Sequence, residues 1–217
     1  MSAVRLAVID DHRFLRETTV DLLRARYPTA AVVGYTNVEE MLKAEDGPFD
    51  VVVLDLQLPG GGVEGDDAVR VATQHGRVLV FSSLTSGEAL ERAHKAGAQG
   101  YVSKDTPPFT VVEGVEAVLA GRPFVDPGLQ AKIGARARKL LTERQQEVLR
   151  LEALGCSVAQ IALELNLSEA GVRRHIERII EIHPDRGKAD RVRLAIELGL
   201  VTPWAVSQRY PPTRSRE

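Results

Sequence analysis

Val51-Val52-Val53-Leu54-Asp55-Leu56-Gln57-Leu58-Pro59 joins an unbroken aliphatic run to a polar turn. Four aliphatic residues in a row, with no polar alternation, suit a strand buried on both faces, as in parallel sheets covered by helices. Asp55 stands where the run ends. In open parallel sheets, ligands bind in the crevice beyond the carboxyl ends of the strands, so a carboxylate here is placed for chemistry. Taken alone, Asp55 is equally an ordinary turn residue ahead of Pro59. What the other strand ends carry decides between these readings.

Upstream, residues 4–9 form a short apolar run closed by Asp10 and Asp11. A helix over about 12–27 places Leu15, Thr19, Leu22 and Leu23 at helical spacing, and Pro28 stops it. A strand over 30–34 follows. Thr36 with Glu39 then has the form of a capping box opening a short helix, which Gly47-Pro48 ends. Downstream of Asp55, a loop of Pro59-Gly60-Gly61-Gly62 leads into a helix over 66–73. Residues 77–81 read as a strand ending in Ser82-Ser83, and 86–96 as a helix. Residues 100–103 form a short strand closed by Lys104-Asp105. Thr106-Pro107-Pro108 opens a helix with Val111, Val112, Val115, Val118 and Leu119 toward the sheet. Five alternating βα units imply a doubly wound, five-stranded parallel sheet with right-handed crossovers.

Strand ends therefore supply Asp10, Asp11, Asp55, Ser82 and Lys104 to one crevice. Helix capping explains one or two of these but not all five. Three converging carboxylates repel one another unless a cation sits among them, and hard oxygen ligands suit Mg²⁺. A lysine and a hydroxyl beside them would hold phosphoryl oxygens.

The 217 residues are enough for two domains, and 44% hydrophobic and 27% charged residues are ordinary for a soluble globular chain. No apolar stretch reaches the ~18 residues of a membrane span, and no signal-peptide pattern is present, so a cytoplasmic protein with no membrane partner is expected. Cys156 is the sole cysteine, which excludes an internal disulfide and a thiolate metal cage. His175 and His183 are too far apart for an i, i+4 metal pair. Charge is uneven. Residues 1–131 carry about −7 and residues 132–217 about +5, which sum to the −2 of the chain. The split suits an acidic module joined to one that binds nucleic acid, although two solvated surfaces of unequal charge would give the same count.

From Leu141 onward the pattern is helical. Thr142 with Gln145, and Ser157 with Gln160, have the form of capping boxes, each ahead of an amphipathic run. Gly155 separates the two runs. Ser168 is the N-cap of a third helix, with Val172, Ile176, Ile179 and Ile180 inward and Arg173, Arg174, Glu177 and Arg178 outward. Two helices joined by a tight turn, with basic residues near the start of the second, are laid out as a DNA-reading helix-turn-helix. A generic bundle with a charged face is the plainer alternative.

The motifs together resemble a known family. The pair Asp10-Asp11, VVVLDLQLP, VLVFS and GYVSK make residues 1–121 similar to the flavodoxin-like receiver domain of two-component response regulators. LTERQQEVLRLEALGCSVAQIALELNLSEAGVRRHIERI and AIELGLV resemble the LuxR-type helix-turn-helix. Together these correspond to the NarL/FixJ arrangement: receiver 1–121, linker 122–139, small all-α DNA-binding domain 140–202 and tail 203–217. The resemblance implies a transcription regulator and not an enzyme. Asp55 would accept a phosphoryl group from a sensor histidine kinase. Asp11, Asp55 and the Gln57 backbone carbonyl would hold Mg²⁺, with Asp10 acting through water. Ser82 and Lys104 would bind the aspartyl phosphate, and Tyr101 would be the switch aromatic. Arg173, Arg174, His175, Glu177 and Arg178 would face double-stranded DNA, and residues 188–199 would form the dimerising helix of a homodimer.

Several positions depart from the family pattern. Val63 stands where a glycine usual eight positions after the phosphoacceptor would fall, in a loop about two residues longer, as surface loops tolerate. Gly171 stands where threonine is usual, Glu177 where a base is common, and His183-Pro184-Asp185 replaces a more apolar helix end. A Mg²⁺-dependent phosphohydrolase also uses a strand-end aspartate nucleophile, but it needs an acid two residues later, where Gln57 stands. A receiver fold switched by a ligand or partner is the remaining alternative.

Overall fold

The computed structural model describes residues 3–44, 46–58, 62–132, 141–182 and 188–209. The chain divides into two compact units, Met1–Thr85 with Ala89–Leu129, and Ser86–Glu88 with Gln130–Glu217. In chain order the first elements are β1 (Arg5–Ile9), α1 (Arg13–Arg26), β2 (Ala31–Tyr35), α2 (Val38–Ala44), β3 (Val51–Leu54) and α3 (Gly65–Ala72). They continue with β4 (Arg77–Ser82), α4 (Gly87–Lys95), β5 (Gly100–Ser103), α5 (Phe109–Leu119) and β6 (Phe124–Val125).

The strands make one sheet in the order β2-β1-β3-β4-β5-β6, and every neighbouring pair is parallel. All four residues of β3 are buried, as its unbroken aliphatic run requires. Leu6, Val8, Val51, Val53, Leu79, Phe81 and Val102 join one core with Val20 and Leu23 of α1 and Val111, Val115 and Val118 of α5. Alternation sends Ala7, Ile9, Val52, Leu54, Val78, Val80 and Tyr101 to the opposite face, and all of these are buried. The strand order turns back between β1 and β3. The crevice at that point lies beyond Ile9 and Leu54, which Asp10 and Asp55 follow.

The sequence-based expectation is corrected at three points. The sheet has six strands, not five, because Phe124 and Val125 pair with Gly100 and Tyr101. A two-residue strand behind Gly121-Arg122-Pro123 has too little pattern to declare itself, and it lies in the stretch assigned to the linker. In α1, Thr19, Val20 and Leu23 are buried, while Leu22 sits at the rim. At α2, Asn37 caps, its Oδ1 accepting from Glu40 N at 2.8 Å, and Glu40 accepts from Thr36 N at 2.6 Å. Glu39 instead accepts from Val63 N at 2.6 Å, tying α2 to the loop beyond β3.

Residues 127–132 are helical and are labelled α6. Then follow α7 (Glu143–Ala153), α8 (Val158–Glu164), α9 (Glu169–Ile182), α10 (Lys188–Glu197) and α11 (Pro203–Arg209). Both expected capping boxes are present, Thr142 with Gln145 and Ser157 with Gln160. Gly155 closes α7 at φ 85°, a left-handed position that favours glycine. The core gathers Val148, Leu149 and Leu151 of α7, Ile161 and Ala162 of α8, Val172 and Ile179 of α9, and Leu194, Ala195 and Ile196 of α10. Arg191 clamps α10 to α7 through a bidentate pair with Glu152, at 2.9 and 2.7 Å. The stretch after 202, expected as a tail, opens with α11, where Trp204 is buried. Residues 133–140, which include the basic Arg136, Arg138 and Lys139 of the linker sequence, and His183-Pro184-Asp185 lie outside the described residues.

Candidate functional site

Each side chain expected at the crevice is held there by the backbone of a strand end. Asp10 N donates to Tyr35 O at 3.1 Å and Asp55 N to Ile9 O at 2.9 Å, so both residues continue the ladder just past the last strand residues. Asp10 and Asp55 are each only 2% exposed. Between them lies Lys104, whose Nζ is 2.7 Å from Asp10 Oδ2 and 2.7 Å from Asp55 Oδ2. The second oxygens are also engaged: Asp55 Oδ1 accepts from Gln57 N at 3.1 Å, and Asp10 Oδ1 from His12 N at 2.9 Å. Burial pushes the Asp55 carboxyl above the usual carboxylate range, while the Lys104 ammonium and the Gln57 amide oppose the rise.

Asp11 is half-buried. Its Oδ1 is sealed from solvent and accepts no hydrogen bond among the described residues, although His12 Nδ1 lies 2.9 Å away outside hydrogen-bonding geometry. Ligand atoms of Asp10, Asp11, His12 and Asp55 all lie within 4.8 Å of one another. Three carboxylates and one ammonium leave an excess of two negative charges in a largely dry pocket. An oxygen-rich site with that excess and an orphaned carboxylate oxygen fits a hard divalent cation.

The fourth and fifth strands supply the neutral and aromatic groups. Ser82 is fully buried, and Leu84 N lies 3.4 Å from its Oγ. Lys104 N donates to Ser82 O at 3.0 Å, locking the two strand ends together. Tyr101 is fully buried, and its hydroxyl donates to Leu84 O at 2.8 Å, in the loop that Ser82 begins. Burial drives its phenol far above the ordinary range, against the hydrogen bond from Ser82. The structure thus gathers Asp10, Asp11, Asp55 and Lys104 into one cluster. Ser82 and Tyr101 form a second group joined to it through Lys104. The Gln57 side chain is exposed, and its backbone amide serves Asp55.

Sequence reasoning missed His12, which directly follows the acidic pair, and Phe81, whose ring centroid lies 5.9 Å from Lys104 Nζ. Position next to Asp11 was the available signal for His12. Nothing in the sequence marked Phe81 apart from its neighbours in the strand.

In the second unit, α8 and α9 are joined by a tight turn in which Asn166 takes a left-handed φ of 52°. Ser168 Oγ accepts from Gly171 N at 3.0 Å, which makes it the N-cap of α9. A Cβ on Gly171 would sit 3.3 Å from that oxygen, so a glycine here leaves the cap unhindered. Val172 and Ile179 are buried, whereas Arg173, Arg174, Glu177 and Arg178 are exposed along one side of α9. His175 is half-buried and its Nδ1 has no hydrogen-bond partner among the described residues. Arg173 pairs with Glu169 at 2.7 Å.

With this geometry in hand, comparisons with known proteins are decisive. Residues 6–116 match the family model of the response regulator receiver domain, and residues 139–181 match that of bacterial regulatory proteins of the luxR family. The nitrate/nitrite response regulator NarL of Escherichia coli (strain K12) is 32% identical over 189 residues, covering 81% of this chain and 87% of NarL. The DNA-binding transcriptional activator DevR/DosR of Mycobacterium tuberculosis is 34% identical over 189 residues, covering 82% and 87%. A solved LuxR-family two-component response regulator from Aurantimonas sp. superimposes with a TM-score of 0.54 at 35% identity, covering 64% of this chain and 99% of that one. The chain belongs to the response regulators of the NarL/FixJ type, with a receiver domain and a LuxR-type helix-turn-helix. It is a DNA-binding regulator of transcription and not an enzyme. Among the described residues, no helix is long and apolar enough to cross a membrane.

Proposed function

We propose that Asp55 is the phosphoacceptor of the receiver, which a linker joins to the DNA-binding domain. The donor is the phosphohistidine of a sensor histidine kinase. A carboxylate oxygen of Asp55 attacks phosphorus, the phosphorus–nitrogen bond breaks, and the imidazole leaves with its electron pair and takes up a proton. An acyl phosphate remains on Asp55. Lys104 and Ser82 then hold phosphoryl oxygens, the ammonium exchanging its carboxylate partner for the new dianion. Asp11, Asp55 and the Gln57 carbonyl would hold Mg²⁺, with Asp10 acting through water, and the ion would supply charge neutralisation for the transferring group. Tyr101 follows the Ser82 loop, to which its hydroxyl is already bonded through Leu84.

One observation carries this reading: a nearly dry Asp55 held 2.7 Å from Lys104 at the turning point of the strand order. Output is proposed to run through a homodimer whose α9 helices present Arg173, Arg174, His175, Glu177 and Arg178 to double-stranded DNA, with half-sites about one helical turn apart. Intact mass after incubation with acetyl phosphate and Mg²⁺ tests the first step. A single phosphate adduct is expected on the wild-type chain and none on Asp55→Asn. Equal adducts on both would overturn the assignment, and none on the wild-type chain would point to control by a ligand or partner.

A further inference from the structure

Asp126 is buried to 1% exposure, and its carboxylate has no ion-pair partner among the described residues. A buried charge without a counter-ion costs several kcal/mol unless hydrogen bonds replace its water. Here three backbone amides do so, and they come from two directions. Oδ1 accepts from Gly128 N at 2.7 Å and from Leu129 N at 3.3 Å, the first amides of α6. Oδ2 accepts from Ser103 N at 3.2 Å, at the end of β5.

Capping α6 needs only one oxygen, which serine, threonine or asparagine supplies. Bonding two separate elements at once takes the second carboxylate oxygen. The strand end it holds adjoins the proposed phosphoryl site. Ser103 precedes Lys104, Lys104 N is bonded to Ser82 O, and Asp126 N donates to Tyr101 O at 2.9 Å. Asp126 is thus bonded to both Tyr101 and Ser103 on one side and to α6 on the other. Leu129, the residue that α6 buries completely, fixes the far end of this grip. From α6 the chain runs covalently toward the helix-turn-helix.

We propose that Asp126 is a positioning residue that couples the end of β5 to the start of α6, so that movement of Lys104 and Tyr101 on phosphorylation is transmitted to the segment leading to the DNA-binding unit. This rests on Asp55 being the phosphoacceptor. When Lys104 shifts toward a phosphoryl group, Ser103 shifts with it, and a carboxylate shared between Ser103 and α6 draws the helix start along. An asparagine of the same size would break one link. Its single oxygen can stay on the two α6 amides, but its NH₂ would then face Ser103 N–H, donor against donor.

The test is hydrogen exchange over residues 127–132 of the full chain, with and without acetyl phosphate and Mg²⁺, with phosphate uptake read by intact mass. In the wild-type chain, phosphorylation should change exchange over α6 about threefold or more. Asp126→Asn should take up phosphate to the same extent, keep its α6 exchange in the resting state, and lose the phosphorylation-dependent change. Asp126→Ser, which can cap α6 but cannot reach both ways, should behave alike and serves should the asparagine variant fail to fold. A full phosphorylation-dependent change in either folded variant would overturn the coupling. So would loss of phosphate uptake in a folded variant, which would place Asp126 in building the site rather than in transmitting from it. Absence of an exchange change in the phosphorylated wild-type chain would overturn it as well. A wild-type chain that takes up no phosphate fails at the Asp55 step instead, and mass alone shows that.

Discussion

Lys104 Nζ and Asp55 Oδ2 lie 2.7 Å apart inside a pocket where the lysine side chain is 10% exposed and the aspartate 2%. The same ammonium is equally close to Asp10. One cation therefore balances two buried anions, a resting arrangement that an incoming phosphoryl group would disturb at a single atom. Replacing Lys104 with methionine keeps the aliphatic stem and strands both carboxylates. Breaking a buried pair typically costs about 3–5 kcal/mol, because the remaining charge is left without compensation. Urea denaturation at neutral pH should show a loss of that order, with part of it restored by Mg²⁺. A variant as stable as wild type would show that the pocket is wetter than its geometry implies.

A second expectation follows from His94 on α4. Burial holds its imidazole below the ordinary value of 6.5, against opposing effects of the Ala98 backbone and Glu91 and with a small further lowering from Lys95. In the unfolded chain His94 protonates near 6.5, but in the folded chain only at lower pH. Stability associated with neutral His94 is therefore present above 6.5 and lost as pH falls from there through the folded value. His94→Gln has no such proton to take up. The stability of wild type relative to this variant should decline between about pH 8 and pH 5, and a constant difference across that range would exclude the depressed pKa.

The parts of this molecule that were legible in the sequence are those with local, repeated signals. Unbroken aliphatic runs such as Val51–Leu54 could only be buried strands, and polar residues directly after them marked the crevice. Thr142 with Gln145 and Ser157 with Gln160 declared their helices through a spacing of three. Groups whose partner is distant in the chain were invisible. Glu39 had the right spacing to cap with Thr36, yet Val63, 24 residues away, takes its carboxylate. Asp126 fell within the stretch assigned to the linker, because nothing local announces a bond to Ser103. β6 was missed since two residues carry no periodicity.

Arg191 and Glu152 were hidden in the same way, 39 residues apart on α10 and α7. Their side chains are 12% and 7% exposed. Glu152→Ala should lower the stability of the second unit by about 3–5 kcal/mol, since it leaves the guanidinium buried and unpaired. Replacing both, as Glu152→Ile with Arg191→Met, should recover most of the loss, because buried pairs are commonly matched by apolar residues of similar volume. Denaturation of the single and double variants distinguishes this from a rim pair, whose removal would cost no more than about 1 kcal/mol.

The exposed side of α9 yields the last expectation. A carboxylate beside three arginines is most simply explained as a salt-bridge partner, yet Arg173 is taken by Glu169 at 2.7 Å, and Glu177 makes no ion pair among the described residues. On the proposed DNA face, an uncompensated carboxylate repels phosphates. Glu177→Ala should then tighten binding to unrelated DNA sequences alike, most strongly at low salt, where the charge is least screened. Arg174→Ala should weaken binding across the same sequences. If Glu177 instead accepts a hydrogen bond from a cytosine amino group, its removal would relax preference at one base position by about 1–3 kcal/mol and leave non-specific binding little changed. Binding-site selection together with salt titrations on wild type and Glu177→Ala separates the two. Identical affinities and identical site preferences would mean that this side of α9 does not meet DNA, and that the helix presents a different face to the groove.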